Sequence, residues 1–158
     1  MNQAERISAI ESLRSTPASV RQAVEGLNAE QLATPYRDGG WSVAQVVHHI
    51  ADSHLHAYVR MKLILELDRP TLQPYDQDVW ARMHDASDTN IESSMKLIDG
   101  LHSRWAEHLA TLSEPDWTRI AYHPERGDLS MDDMLRIYSR HGANHVRQIN
   151  DLRSRMGW

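Results

Sequence analysis

Cysteine is absent from this 158-residue sequence. The absence excludes disulfide bonds, thiolate metal sites and cysteine nucleophiles together. Any metal ion must therefore be bound through nitrogen or oxygen ligands. Histidine, by contrast, occurs ten times, so histidine is the residue type whose positions decide whether a metal site is present.

An excess of basic residues is also missing. Lys and Arg total 17 against 22 for Asp and Glu, which leaves a formal net charge of −5. Because nucleic-acid binding depends on a basic surface, we expect no nucleic-acid partner. No apolar run approaches the roughly 20 residues of a membrane-spanning helix, and the first residues lack the basic region and cleavage site of a signal peptide. These absences predict a cytoplasmic protein with no membrane partner.

The length and the composition fit one globular domain. Hydrophobic residues make up 41% of the chain and charged residues 25%, as in ordinary globular proteins. A chain of this length can bury one sizeable core but not two. We therefore predict a single domain that spans residues 1–158.

Apolar residues recur at helical spacing along most of the chain. The pattern predicts four long helices, at about residues 3–26, 42–67, 89–112 and 130–156. Short helical turns are predicted at residues 28–32 and 113–117. Pro17 interrupts the first pattern, where we favour one long kinked helix. No segment has a strand signal, so the predicted fold class is all-α: a four-helix bundle with short extra helices.

Polar residues mark where the predicted helices begin. Asn28 is the predicted cap of the first short helix. Three capping boxes are predicted to open the later long helices: Ser42 with Gln45, Thr89 with Glu92, and Ser130 with Asp133. The connection between the second and third long helices, residues 70–87, has no periodicity. A connection of that length is usually functional or packed as a lid.

Two histidines share one face of the last predicted helix. His141 and His145 are four residues apart, and positions i and i+4 lie on the same side of a helix. His49 occupies a similar apolar stripe on the second long helix. Neutral imidazoles suit zinc and nickel, and a catalytic zinc site commonly has three protein ligands and one open position. The pattern is typical of a divalent metal site, and also of core histidines hydrogen-bonded to their neighbours.

The motif HGANH differs from that of the zincin proteases. HExxH enzymes carry a glutamate after the first histidine as their general base, and Gly142 stands at that position here. A base must come from elsewhere, and Asp52, three residues after His49, is the nearest candidate. We favour a role for Asp52 in holding a histidine by a hydrogen bond over direct catalysis, with an exposed helix acid as the third interpretation.

Other histidines near the predicted helix stripes are expected to have ordinary roles. His48 lies about 100° from His49 around the helix axis and should be nearer the bundle edge. His102 and His108 are off the apolar stripe of the third long helix and should be exposed.

Three further segments carry histidine without forming an obvious site. His54 and His56 are two residues apart, so they point to different sides of one helix, which argues against a joint site. His84 and Asp85 lie in the irregular connection, where they either approach a ligand or, as we favour, are exposed to solvent. Tyr122 and His123 precede the last helix, where they either line the mouth of a pocket or pack Tyr122 against the end of the bundle.

Five segments in order along nearly the whole chain resemble the YfiT-like, bacillithiol-transferase-type branch of the DinB-like superfamily. The resemblance is carried by TPYRDGGWSVAQVVHHIADSH, RPTLQPYDQDVW, LHSRWAEHLATL, YHPERG and YSRHGANHVRQINDLRSRMGW. It implies a four-helix bundle that binds one divalent metal ion per chain through three histidines, often as a homodimer. The matching positions are His49, His141 and His145.

The last motif departs from the family pattern. Family members often carry extra histidines between and after the last two ligands, whereas this chain has Ala143, Asn144 and Gln148 there. The three matching histidines are intact, but an auxiliary acid or base in this region is not expected. Members have been described as candidate metal-dependent hydrolases, and some relatives transfer a low-molecular-weight thiol to an electrophile.

Function hypotheses of different classes follow from the histidine pattern. The leading one is a metal-dependent enzyme, with zinc preferred and nickel as the alternative, that acts on a small molecule as a hydrolase or thiol S-transferase. The second is a non-catalytic bundle that binds a metal or a small ligand in a stress response, with a closed shell of four protein ligands. The third is an all-α dimerisation module without metal.

Overall fold

Four long helices, short helical segments and one β-hairpin make up the computed structural model, which describes residues 1–158 throughout. In chain order the elements are α1 (Gln3–Val24), α2 (Ala29–Leu32), α3 (Val43–Glu66), α4 (Gln77–Trp80), a 3-10 turn (Asp85–Ser87), α5 (Glu92–Ala110), α6 (Glu114–Trp117), β1 (Ile120–His123), β2 (Gly127–Ser130) and α7 (Met131–Met156). The predicted four-helix bundle is confirmed, and its helices are α1, α3, α5 and α7. None of the helices is long and apolar enough to cross a membrane.

The bundle has α1 and α3 at opposite corners. Helix α1 packs mainly on α7 and α5, and α3 packs on the same two helices. Trp105 of α5 is fully buried in a core cluster to which all four long helices contribute. Because α3 touches both α5 and α7, polar side chains from these three helices can meet inside the bundle.

Most of the predicted helix starts are confirmed. Asn28 caps α2, and Ser42 and Ser130 form the predicted capping boxes at α3 and α7. In each case the cap side chain accepts a hydrogen bond from a first-turn N–H that would otherwise lack a partner. Helix α1 continues through Pro17, so the preferred single long helix is also confirmed.

The predicted capping box at Thr89 is wrong. Helix α5 begins after Ile91, which makes no side-chain cap. Asn90 instead accepts a hydrogen bond from the N–H of Glu92, and Asp88 accepts one from the N–H of Asn90. Two successive turns closed by Asp and Asn side chains therefore replace the threonine cap.

The expectation of an all-helical chain misses a short hairpin. Strands β1 and β2 pair antiparallel over four residues each. The hairpin is also joined to the long connection, because Leu72 donates its N–H to the carbonyl of Tyr122 and Tyr122 donates to Pro70. The connection is thus packed as expected, with Leu72 fully buried.

Helix α7 approaches α1 closely at Gly142. A Cβ atom added at this glycine would lie 2.6 Å from Cγ2 of Thr16, which is too close for real contacts. A glutamate at this position would therefore collide with α1. The missing zincin glutamate has a packing reason: this face of α7 is occupied by a neighbouring helix.

Candidate metal centre

Three imidazoles converge where α3 faces α7. Nε2 of His141 lies 3.3 Å from Nε2 of His49 and 3.2 Å from Nε2 of His145. A single nitrogen from each ring can be chosen so that all three lie within 4.8 Å of one another. The structure therefore brings together the three histidines that the sequence pattern singled out.

Two of the three nitrogen separations match those of ligands around one metal ion. Zinc binds imidazole nitrogen at about 2.0–2.1 Å with tetrahedral angles, so two ligand nitrogens are about 3.3 Å apart. The two measured Nε2 separations are 3.2 and 3.3 Å. The ligand nitrogens of the third pair, His49 and His145, lie within 4.8 Å of each other.

All three rings are kept neutral by their surroundings. Burial, with a smaller contribution from the nearby His145 ring, lowers the pKa of His49 and of His141 to about 3. Burial also lowers the pKa of His145, against a hydrogen bond with Gln148 that raises it. Neutral imidazole is the form that binds a metal ion.

A chain of buried histidines continues from His141 into the bundle. Nδ1 of His141 lies 3.0 Å from Nε2 of His54, and Nδ1 of His54 lies 2.8 Å from Nε2 of His102. The chain ends at the backbone, where Nδ1 of His102 lies 2.8 Å from the carbonyl oxygen of Ile98. Burial lowers the pKa of both His54 and His102, so these rings are neutral too.

The carbonyl of Ile98 determines every proton position along this chain. A carbonyl can only accept, so His102 must donate from Nδ1 and keep a lone pair on Nε2. His54 must then donate from Nδ1 to that lone pair, and His141 must donate from Nδ1 to His54. The lone pair of His141 is left on Nε2, which points at His49 and His145.

His145 has the same arrangement on the other side. Its Nδ1 lies 2.8 Å from Oε1 of Gln148, so Nδ1 donates and Nε2 carries the lone pair. Two lone pairs, those of His141 and His145, thus face each other at 3.2 Å with no proton to share. Such an arrangement repels until a cation lies between the nitrogens, so this donor set fits a metal ion.

A cavity of about 510 Å³ opens beside the three histidines. His49 and His141 line it directly, and the hairpin and the long connection supply much of its remaining wall. Trp41 lies outside this lining, with its ring centroid 4.6 Å from that of His49. The other residues that line the cavity are Ser53, Arg60, Pro74, Tyr75, Asp76, Gln77, His123, Glu125, Arg126, Leu129, Met134, Ile137 and Tyr138.

The predictions for three histidines outside the converging set need correction. His102 is fully buried rather than exposed, and His54, which was set aside, is fully buried beside it. His48 is also buried, where Ser94 and the carbonyl of Asp88 satisfy its two nitrogens. A signal for His102 was present, since it lies four residues after buried Ile98 and three before Trp105.

Asp52 does not hydrogen-bond to any of the three converging histidines. It is half-buried, and burial raises the pKa of its carboxyl group, as does the nearby Asp85. The partners of the converging imidazoles are His54 and Gln148 instead. The predicted role of Asp52 as a base or supporting acceptor stays a prediction.

The other sequence candidates lie in different surroundings. His84 is exposed as expected, whereas His108 is half-buried rather than exposed. His56 packs against the aromatic rings of the long connection. Of the pair before the last helix, His123 is buried and lines the cavity, while Tyr122 is 40% exposed and does not line it.

Comparison with protein families decides the family. A model of the DinB superfamily matches residues 12–149, a span that includes all three converging histidines. The chain belongs to the DinB superfamily. The predicted family resemblance is therefore confirmed over most of the length.

Individual DinB superfamily relatives match nearly the whole chain. YfiT of Bacillus subtilis strain 168, named as a candidate metal-dependent hydrolase, is 41% identical over 150 residues, which cover 94% of this chain and 84% of YfiT. A similarly named protein of Geobacillus thermodenitrificans strain NG80-2 is 45% identical over 151 residues, with the same coverage.

A solved structure matches the DinB superfamily bundle described above. The structure of Bacillus subtilis YfiT superposes with a TM-score of 0.97 at 39% identity and covers 100% of this chain and 91% of that one. YfiT is described there as a metal-dependent hydrolase by inference, with a four-helix bundle of unusual topology. The helix arrangement around the converging histidines is thus that of a known bundle.

Proposed function

We propose that this chain is a metal-dependent enzyme in which His49, His141 and His145 hold one divalent metal ion, zinc by preference. One observation carries the proposal: three neutral imidazoles point their Nε2 atoms at a common centre, and at least two of these atoms carry lone pairs. The adjoining cavity leaves room for a substrate beside the ion. A structural zinc site would instead have four protein ligands.

The protein's own contribution is to hold the ligands in place. His54 and Gln148 accept the Nδ1 protons of His141 and His145 and so keep each Nε2 free for coordination. Burial keeps the rings neutral, because an imidazolium in this position would be poorly solvated. A divalent ion there would lower the pKa of a water molecule or thiol in its open position and so supply a nucleophile at neutral pH.

Hydrolysis of a small substrate is the first candidate reaction. The names of the relatives from Bacillus subtilis and Geobacillus thermodenitrificans support it. Transfer of a low-molecular-weight thiol to an electrophile is the second candidate. One observation favours it: no carboxylate hydrogen-bonds to the three histidines, and a thiol needs less help from a base than water does.

Metal analysis of the protein purified without a histidine tag tests the proposal. We expect about one ion per chain in the wild type and in the control His84→Ala, which removes an exposed histidine. Neither His49→Ala nor His141→Ala should retain the ion. Stoichiometric metal in both of these variants would overturn the proposed site.

Two assays on the same proteins distinguish the reactions. One follows hydrolysis of a 4-nitrophenyl ester, and the other follows conjugation of a small thiol to a chromogenic electrophile. The favoured reaction should be lost on chelation, return on addition of zinc, and be absent from His141→Ala. Full metal loading without either activity would favour the non-catalytic binding protein.

A further inference from the structure

An unpaired cation lies in the wall of the cavity. Arg60 of α3 is only 8% exposed, yet none of the salt bridges in the structure includes it. Its Nη2 donates to the carbonyl of Gln73, whereas its Nε is buried without a hydrogen-bond partner. A buried guanidinium without a counter-ion is costly, so this group needs an anion that the chain does not supply.

The acids that line the same cavity do not meet this need. Asp76 accepts hydrogen bonds from the N–H groups of Asp78 and Val79 at the start of α4. Glu125 is exposed on the hairpin turn. Neither carboxylate forms a salt bridge with Arg60.

His123 adds a second donor to the same cavity. It is 6% exposed, and its Nδ1 accepts a hydrogen bond from the N–H of Glu125. The neutral ring must therefore carry its proton on Nε2, where no protein group accepts it. Burial lowers the pKa of His123, and the charge of Arg60 lowers it further, as expected for neighbouring groups.

The long connection at residues 70–87 contacts the elements that carry both donors. Arg60 is hydrogen-bonded to Gln73, and its guanidinium carbon lies 6.0 Å from the ring centroid of Tyr75. His123 ends β1, whose residue Tyr122 exchanges backbone hydrogen bonds with residues 70 and 72. The long connection thus fixes the two side chains in one region before any ligand arrives, which lowers the entropic cost of binding.

We propose that Arg60 and His123 bind a carboxylate group of the substrate in the cavity that His49 and His141 also line. The substrate is then a small carboxylic acid that presents its reactive group to the metal site. Arg60 is the buried guanidinium of this cavity, whereas Arg126, which also forms no salt bridge, is exposed to solvent. One buried guanidinium beside one neutral N–H donor suits a planar monoanion better than a doubly charged phosphate. The inference rests on the proposed function, because it assigns the carboxylate to the molecule that reacts there.

Titration of metal-free protein with paired probes tests the carboxylate site separately from the metal site. Succinate, succinamide and inorganic phosphate are added to chelator-treated wild type and to His141→Ala, and binding is followed by NMR. We expect succinate to bind at least about tenfold more tightly than succinamide, as for a charge-assisted hydrogen bond. Because neither protein contains metal, failure of the proposed metal site would leave this result unaffected.

Variants of the two donors and of one exposed arginine sharpen the test. Arg60→Met should abolish the preference for succinate without lowering the unfolding midpoint, since it removes an unpaired buried charge. Arg60→Lys should restore part of the preference, and His123→Leu should weaken it. Arg82→Gln is the control, because Arg82 is exposed and lies outside the cavity lining, so its loss should change succinate binding by less than about threefold.

Three results would overturn the proposal. The first is equal binding of succinate and succinamide to the wild type. The second is an undiminished preference for succinate in both Arg60→Met and His123→Leu. The third is tighter binding of phosphate than of succinate, which would contradict the carboxylate assignment.

Discussion

Five histidines inside this bundle form two groups with similar spacing and opposite hydrogen bonding: an inner group of His54 and His102, and an outer group of His49, His141 and His145. In the inner group, Nδ1 of His54 lies 2.8 Å from Nε2 of His102. Each contact has one donor and one acceptor, because the series of histidines ends at the carbonyl of Ile98. In the outer group, the Nε2 atoms of His141 and His145 lie 3.2 Å apart, and both of these nitrogens are acceptors. The hydrogen bonds of the inner group are complete within the protein, whereas two acceptor nitrogens of the outer group face each other, an arrangement that favours a cation between them.

The difference shows what distinguishes a structural histidine from a candidate metal ligand. Burial and neutrality are common to both groups, so neither property separates them. The two groups differ in whether the protein itself supplies a hydrogen-bond partner for each ring nitrogen. The inner group also determines the outer one, since the proton on His54 forces the lone pair of His141 towards the centre.

Loss of an outer histidine should have the largest effect. A bound ion that the unfolded chain does not bind stabilises the fold by about 4 kcal/mol when its free concentration is 1,000 times its Kd. We expect a chelator to lower the unfolding temperature of zinc-loaded wild type and of His84→Ala, and to leave that of His145→Ala unchanged. Circular dichroism melts with and without chelator measure this effect. An equal chelator effect in His145→Ala would contradict the assignment of His145 as a metal ligand.

Acid should destabilise the metal-free protein through the same outer group. The folded pKa of His49 and of His141 is about 3, below the ordinary value of 6.5. The unfolded chain therefore binds more protons between pH 6.5 and 3, and stability falls as pH is lowered through that range. The slope for each fully shifted group approaches about 1.4 kcal/mol per pH unit.

Urea unfolding of chelated protein at a series of pH values checks this slope. His141→Leu removes one of the histidines with a lowered pKa and should give a shallower dependence than the wild type. His84→Gln, at an exposed position, should keep the wild-type slope. Parallel curves for wild type and His141→Leu would contradict the prediction.

Interruption of the inner group should weaken metal binding without abolishing it. His54→Leu removes the acceptor of the His141 Nδ1 proton, and His102→Leu removes the group that orients His54. Loss of such a partner typically reduces metal affinity by about 10–100-fold. Zinc affinity from competition with a chromogenic chelator measures the loss, which should be larger for His54→Leu.

A buried histidine that is not hydrogen-bonded to His54, His102 or His141 provides the control for this prediction. His48 is on the same helix and has both nitrogens satisfied, but it does not contact the outer group. His48→Leu should lower stability and leave zinc affinity unchanged. Nitrogen-15 NMR of the wild type should show protons on Nδ1 of His54, His102 and His141. A proton on Nε2 of any of these three would contradict the assigned chain.

The outer group was accessible to prediction because it depends on local geometry. The spacing of His141 and His145 places them on one face of any helix, and the apolar stripe around His49 turns that ring inwards. The converging geometry follows once two helices pack together. The inner group depends on which turns of α3, α5 and α7 lie at the same height, and that register is absent from a single helical pattern.

The hairpin and Arg60 were missed for a similar reason. The strands have four residues each, too few for a clear alternation, and β1 owes part of its hydrogen bonding to residues 70–72, which are distant in sequence. Arg60 stands on a helix where an exposed cation is the ordinary expectation. Its burial follows from the folding of the long connection over α3, through its contact with Gln73.

The smallest expected effect concerns the face of α7 that points away from the outer histidines. Gly142→Ala adds a Cβ that would lie 2.6 Å from Cγ2 of Thr16, and such overpacking costs about 1–3 kcal/mol. The higher helix propensity of alanine offsets up to about 1 kcal/mol of this cost. Gly100→Ala on α5 meets no atom within 4 Å, so it should instead stabilise the protein by up to about 1 kcal/mol.

Urea unfolding of Gly142→Ala, Gly100→Ala, Thr16→Ser and the combination of Gly142→Ala with Thr16→Ser tests the close approach. The serine lacks the Cγ2 methyl group, so the combined variant should recover part of the stability that Gly142→Ala loses. Additive effects of the two substitutions would mean that the helices separate freely, in contradiction to the prediction. Because His141 and His145 flank Gly142, a shift of α7 away from α1 would also move both rings, and zinc affinity in the same variants reports how firmly the bundle holds them.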